Sequence, residues 1–251
     1  MKHVRPPFSQ HAFTLTELLI AMALSVSLVA GALHMFNGTL RSYRSLQAIA
    51  ELDDRATFAL RALAADVQLA GYAGAPTDAP PSRPATVRCY GRDASAWAFS
   101  PGAIELHMSG GGLPCPALGM PANDSDTLVI RHVDPMSVDP QVQAHAWYVD
   151  TDSSESALPS LRRQTLMPDG RIHNQEIMPG VESLNVSLGI DDDADARIDT
   201  FSHTTAPAGR IMAVRIQVVV RSHVHDTTIG GDGFQRLAAQ RLIFLRNSTN
   251  G

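Results

Sequence analysis

The fold of this chain is decided near its start by residues 11–22, HAFTLTELLIAM, which open a long apolar segment. Lys2 and Arg5 make the short leader before this segment basic. Glu17 is the single charged residue within residues 13–36. As a helix, residues 13–36 would span roughly 36 Å, at about 1.5 Å per residue, which is enough to cross a bilayer. A carboxylate inside such a segment is unfavourable unless it finds a partner, so Glu17 is predicted to be functional.

The leader, Phe13, Thr14-Leu15 and Glu17 together resemble the N-terminus of a type IV prepilin. The resemblance implies that a prepilin peptidase cleaves between Ala12 and Phe13 and that the new N-terminus is methylated, although the family usually has Gly where this chain has Ala12. Glu17 would then pair, in an assembled filament, with the terminal amine of a neighbouring subunit. An ordinary signal anchor that happens to contain a Glu is the alternative interpretation.

Composition and charge narrow the classes of function. The 251 residues suffice for one sizeable domain plus an anchor, and 44% hydrophobic and 18% charged residues are ordinary for a globular protein. The formal net charge is −5 and the chain has no basic tract, which argues against nucleic acid as a partner. The basic leader favours a cytoplasmic N-terminus, so most of the chain is expected outside the cytoplasm.

A helical pattern continues beyond the apolar segment as far as Gly71. Residues 41–70 contain neither Pro nor Gly, and their apolar residues recur at three- and four-residue steps. We therefore expect one helix over residues 13–71, with a transmembrane part at 13–36 and a second half packed on a globular head. Charged residues of the second half, Asp66 among them, are expected on helix faces other than the apolar face that packs on the head. The alternative is a separate short helix after a loop near Asn37-Gly38.

The remaining residues, 72–251, predict a β-rich head. Short runs of alternating, branched or aromatic residues occur at 104–108, 127–131, 146–149, 184–190, 214–220 and 242–245. Such runs, separated by Gly, Pro and Asp, indicate antiparallel strands. The predicted fold class is α+β and pilin-like: a long N-terminal helix packed on an antiparallel β-sheet head.

Four blocks of the head resemble the PilW family of minor pilins: SDTLVIR (125–131), PGVESL (179–184), LGID (188–191) with the acidic loop after it, and LRN (245–247). The resemblance implies a subunit without enzymatic activity that joins other minor pilins in a complex priming the filament at its tip. The implied partners are other minor pilins, the major pilin, the prepilin peptidase and the inner membrane. The implied location is the inner membrane, with a periplasmic head, and then the pilus.

Two features of the head carry possible chemistry. Cys89 and Cys115 are the two cysteines, and in an oxidising periplasm they predict a disulfide. Residues 191–199, DDDADARID, predict a low-affinity calcium loop, and calcium is the one cofactor that the sequence suggests. Its candidate ligands are Asp191, Asp193, Asp195, Asp199 and the backbone carbonyl of Arg197. The EF-hand match is partial because Ala196 replaces the turn glycine, and a solvated acidic turn is the alternative.

Other functions are open at this stage. A J-type minor pseudopilin of a type II secretion system shares the N-terminal pattern and a comparable size. A membrane-anchored periplasmic enzyme or metal-binding module would depend on the acidic loop and on His223-Val224-His225-Asp226. That second motif would put two imidazoles on one strand face and could suit zinc, but no further convincing ligand lies nearby in the sequence, so a polar loop is the simpler interpretation.

Overall fold

The computed structural model describes residues 14–74, 80–135, 140–155, 158–204, 209–225 and 231–247. Helix α1 runs without a break from Leu15 to Leu69, so the loop near Asn37-Gly38 that the sequence left open does not form. The chain divides into two compact units, residues 1–47 and residues 48–251, and α1 contributes residues to both. The prediction of one long N-terminal helix is confirmed.

Antiparallel strands make up most of the second unit. In chain order they are β1 (Arg88–Cys89), β2 (Arg92–Asp93), β3 (Ile104–His107), β4 (Thr127–Val133), β5 (Val142–Asp150), β6 (Ser160–Leu166), β7 (Ile172–Pro179), β8 (Val181–Asp191), β9 (Thr200–Ser202), β10 (Arg210–His225) and β11 (Phe234–Phe244). A short helix, α2, spans Ser95–Ala98, and a 3-10 turn spans Pro116–Leu118. Within the described residues, β1 and β2 pair, a five-stranded sheet has the order β3-β4-β5-β6-β7, and a four-stranded sheet has the order β11-β10-β8-β9. The predicted α+β class is confirmed.

The C-terminal half of α1 packs against both large sheets in one core. Leu52, Ala56, Ala59, Leu63 and Val67 are buried at three- and four-residue steps, which places them on one face of the helix. They share a cluster with alternate residues of β3, β4, β5 and β6 and of β8, β10 and β11. Because successive strand residues point to opposite faces, alternation in the sequence becomes one apolar face on each sheet.

A buried carboxylate joins this helix face to the five-stranded sheet. Asp66 is only 7% exposed. Its Oδ2 accepts hydrogen bonds from His145 Nδ1 at 2.6 Å, Trp147 Nε1 at 2.8 Å and Arg163 Nη1 at 3.3 Å. The first two donors belong to β5 and the third to β6. The expectation that Asp66 faces away from the packed surface is wrong, because these donors offset the free energy of burying its charge.

The surroundings of Asp66 also decide its charge state. Burial by itself raises the pKa of Asp66, but the hydrogen bond and charge of His145, the charge of Arg163 and the Trp147 hydrogen bond together bring that pKa below its ordinary value. The carboxylate is therefore ionised at neutral pH. It acts as a directional contact between the helix and two strands.

The two large sheets are joined where β4 begins. The backbone N–H of Asp126 donates to the carbonyl oxygen of Leu184 at 2.8 Å, and Asp126 Oδ2 accepts from Val186 N at 2.8 Å. Ser125 Oγ accepts from Leu184 N at 2.8 Å. Burial of the Asp126 carboxyl raises its pKa despite the Val186 hydrogen bond and the charge of His203. These contacts hold β8 of one sheet beside β4 of the other.

The sequence predicted six of the strands and missed the others, notably β6 and β7. β6 places the polar side chains of Ser160 and Gln164 at fully buried positions, so no apolar alternation is visible there. β7 begins with the polar run His173-Asn174-Gln175 after Ile172. Both strands depend on pairing with neighbours rather than on their own composition.

The chain leaves α1, which ends at Leu69, through a crowded turn at Gly71. Its φ is +72°, a conformation that favours glycine, and its N–H donates to the carbonyl oxygen of Arg131 at 3.0 Å. A Cβ at this position would collide with the backbone carbonyl oxygen of Asn247. The turn therefore lies directly against both β4 and the segment that follows β11.

We predict that Gly71→Ala lowers the free energy of unfolding by at least about 1 kcal/mol, because the new Cβ is strained at this φ and meets backbone that cannot rotate away. The measurement is urea unfolding of the full chain in detergent micelles. Gly91→Ala is the matched control, since Gly91 has a φ of +86° but no atom near its Cβ position. Equal losses in the two variants would contradict the contact with Asn247.

Asp66→Ala is predicted to lower the free energy of unfolding by about 3 kcal/mol at neutral pH, because it leaves buried donors without their acceptor. The folded-state pKa of Asp66 is below the unfolded value of about 3.9, so this stabilisation is present above that pH and is lost as the pH falls through the folded-state value. The gap between parent and variant should therefore narrow below about pH 4.

Unfolding of both proteins in urea, followed from pH 7 to pH 3, checks this prediction. Asp54→Ala removes an exposed carboxylate from the same helix and should change stability little. A gap that stayed constant with pH would show that the ionised form of Asp66 is not what the fold depends on.

Candidate functional site

The described residues begin at Thr14, so Ala12 and Phe13, the predicted site of cleavage and methylation, lie outside them. The backbone N–H and the hydroxyl of Thr14 each donate to Glu17 Oε2 at 2.9 Å, and Glu17 N donates to Thr14 Oγ1 at 3.3 Å. This reciprocal pair is a capping box, which satisfies donors left free at the start of a helix. The apolar pattern does not reveal the role of Thr14, although the T-x-x-E spacing does.

The segment that follows Glu17 is apolar and unburied. By length and composition, α1 is long and apolar enough to cross a membrane, and its apolar part is not buried in the fold. Glu17 lies in the first turn of the helix. The structure thus combines an apolar helical segment with one carboxylate at its N-terminal end, which fits membrane anchoring.

The two cysteines form a disulfide between Cys89 of β1 and Cys115, which directly precedes the 3-10 turn. Gln164 of β6 holds the second cysteine in place, since Cys115 N donates to Gln164 Oε1 at 2.9 Å and Gln164 Nε2 donates to Cys115 O at 2.9 Å. The disulfide belongs to a second buried cluster that includes Ala144 and Leu166. Its surroundings are those of a structural cross-link.

The structure brings together part of the predicted calcium loop, which connects β8 to β9. One carboxylate oxygen of each of Asp191, Asp193 and Asp195 lies within 4.8 Å of the other two. Asp199 is not in this group. Its Oδ2 accepts from Asp192 N at 2.8 Å, and its own N–H donates to Ile190 O at 2.8 Å, so it closes the base of the loop.

The two histidines of the His motif lie in a strand and not in a loop. His223 and His225 lie within β10, whereas Asp226 lies outside the described residues. His225 packs edge-on against Phe234 with ring centroids 5.4 Å apart, and His223 Nδ1 lies 3.8 Å from Glu51 Oε1. Within the described part of the chain, three possible metal ligands lie close together in the triad of Asp191, Asp193 and Asp195. Neither histidine belongs to this triad.

Comparison with known proteins yields two family matches. The profile described as type IV pilus-assembly protein W matches residues 146–241, and the prokaryotic N-terminal methylation motif matches residues 7–33. A pilin-like protein of Thermus thermophilus, PilA3, is 39% identical over 62 residues, which are 25% of this chain and 27% of that relative. No solved structure matches this chain.

These matches coincide with the two parts of the molecule described above. The methylation motif covers the end of the leader, from residue 7, and the N-terminal part of α1 as far as residue 33, including Glu17. The PilW match extends from β5 to β11 and contains the acidic loop. The resemblance to type IV pilins of the PilW family is confirmed. The chain is thus similar to type IV pilin-like proteins in two regions, an N-terminal methylation motif and a PilW region.

Proposed function

We propose that this protein is a minor pilin that takes part in the assembly and priming of a type IV pilus and acts without catalysis. The observation that carries the proposal is the position of Glu17, in the first turn of the 55-residue helix α1 and inside the methylation motif. The unburied apolar segment after Glu17 requires surroundings of lipid or of other apolar helices. A membrane before assembly and a filament core after it provide both.

Processing of the N-terminus prepares the subunit for this role. The prepilin peptidase removes residues 1–12 by cleaving between Ala12 and Phe13, and the amine of Phe13 is then methylated. Residues 13–71 form the N-terminal segment, in which residues 13–36 span the inner membrane and α1 continues to Leu69. Residues 72–251 form the periplasmic head. The match of the methylation motif to residues 7–33 supports this division.

Glu17 has a different partner in each state of the subunit. Before assembly, the N–H and hydroxyl of Thr14 in its own chain solvate the carboxylate. In the filament, the positive amine of a neighbouring Phe13 pairs with it, which favours the charged form more strongly than neutral donors do. A different axial stagger would leave a buried charge without a partner, so this pair selects the register of the subunits.

The head supplies the partner-specific surface. Its partners are other minor pilins, in a complex at the pilus tip, and the major pilin beneath that complex. The PilW match over residues 146–241 supports this role over that of a J-type pseudopilin of type II secretion. The final location is therefore the pilus, reached from the inner membrane.

Glu17→Ala is expected to lower the amount of this protein in sheared pili at least about tenfold, because removing one partner of a buried ion pair costs about 3–5 kcal/mol. Quantitative immunoblotting of the pilus fraction, relative to the membrane fraction, measures the effect. The amount in the membrane should stay close to that of the parent, since the apolar segment is intact.

Two further variants separate ion pairing from other effects. Asp53→Ala removes an exposed carboxylate further along α1 and should leave incorporation unchanged. Thr14→Ala removes one donor to Glu17 but keeps the carboxylate, so it should also assemble. Mass spectrometry should find Phe13 at the N-terminus of the mature chain. Normal incorporation of Glu17→Ala, or retention of residues 1–12, would refute the proposal.

A further inference from the structure

The loop between β8 and β9 contains a buried carboxylate oxygen without a partner. Asp191 ends β8 and is only 2% exposed. Its Oδ2 accepts from Ala196 N at 3.1 Å, but its Oδ1 is buried and has no hydrogen-bond partner within the described part of the chain. Buried polar atoms in folded proteins are nearly always paired, so this oxygen indicates a missing ligand.

The same carboxylate has two acidic neighbours. Oxygens of Asp191, Asp193 and Asp195 lie within 4.8 Å of one another, where their negative charges repel. Among the described residues, Arg197 forms an ion pair with this cluster. Its Nε lies 3.9 Å from Asp195 Oδ2, and both side chains are exposed. Such a pair contributes little and does not reach the buried oxygen of Asp191. A cation among the three carboxylates would remove the repulsion and supply the missing partner.

The donor set and its dimensions point to calcium. All three side chains offer oxygen, which calcium and magnesium prefer, whereas zinc is usually bound through nitrogen and sulfur. Calcium–oxygen distances of about 2.3–2.6 Å allow ligand oxygens to lie up to about 5 Å apart across the ion, which accommodates the spacing of the triad. Magnesium binds at about 2.0–2.1 Å in strict octahedral geometry and usually keeps several waters, so it suits a loop of three carboxylates less well than calcium does.

We propose that Asp191, Asp193 and Asp195 bind one calcium ion, with water and backbone oxygens of the loop completing its coordination. The ion ties the end of β8 to the loop, whose base is already closed by Asp199. Ala194 and Ala196 hold positive φ angles of 64° and 65°, which are unfavourable for residues with a Cβ. Calcium offsets that strain and fixes the connection to β9, the edge strand of the four-stranded sheet.

Thermal unfolding of the full chain in detergent micelles tests the site, with 10 mM CaCl2 compared with EDTA. A dissociation constant of about 0.1–1 mM, typical of extracellular calcium sites, predicts a rise in Tm of at least about 3 °C. Asp193→Asn combined with Asp195→Asn should lose this rise. Both substitutions are exposed and keep an oxygen acceptor at each position, so the loop hydrogen bonds to Asp195 N and Arg197 N can form.

Asp192→Asn is the matched control, because Asp192 lies in the same loop and outside the triad, and it should keep the full response to calcium. The double variant should be at least as stable as the parent in EDTA, because it removes the repulsion among the carboxylates, and this result would show that it folds. No rise in the parent, an equal rise in the double variant, or an equal rise with 10 mM MgCl2 would overturn the assignment to calcium. Since the test uses the purified chain, its failure would leave the role of Glu17 in assembly untouched.

Discussion

The globular unit depends on how α1 is held against the five-stranded sheet, and the contact that decides this is the carboxylate of Asp66. Apolar contacts along the buried stripe of α1 are not directional, and a helix could shift along them at little loss of burial. Asp66 removes that freedom, since its Oδ2 accepts from His145, Trp147 and Arg163 at defined positions on β5 and β6. One register of the helix satisfies all three donors, and the core forms around it.

Two of the sequence blocks that resemble the PilW family, residues 125–131 and 179–184, lie where elements of the fold meet. Asp126 joins the start of β4 to β8 through Leu184 and Val186. Gly180 turns the chain from β7 into β8 at a φ of +82°, with Arg55 of α1 so close that a Cβ would meet its Nη1 at 2.7 Å. Junctions of this kind require particular residue types, such as a short acceptor or a glycine. Strand interiors require only apolar alternation, which many sequences provide.

The two candidate sites differ in how much of their geometry is local. At Glu17, the capping box with Thr14 closes within one helical turn, so the T-x-x-E pattern is sufficient to predict it. In the acidic loop, the D-x-D-x-D spacing predicts which carboxylates can converge, but the burial of Asp191 depends on its place at the end of a central strand. The sequence also suggested Asp199 as a ligand, but its Oδ2 accepts from Asp192 N at the base of the loop and it lies outside the triad.

The sequence by itself determined the long helix, its membrane-spanning length, the carboxylate at its start and the α+β class. Each of these features depends on local periodicity or on spacing within a few residues, which is visible along the chain. The tertiary structure alone decided the strand order in the two sheets, the existence of β6 and β7, the burial of Asp66 and the clustering of three aspartates around a buried oxygen. These features depend on contacts between residues far apart in the chain, where a neighbour can stabilise a polar strand or a buried charge that its own sequence disfavours.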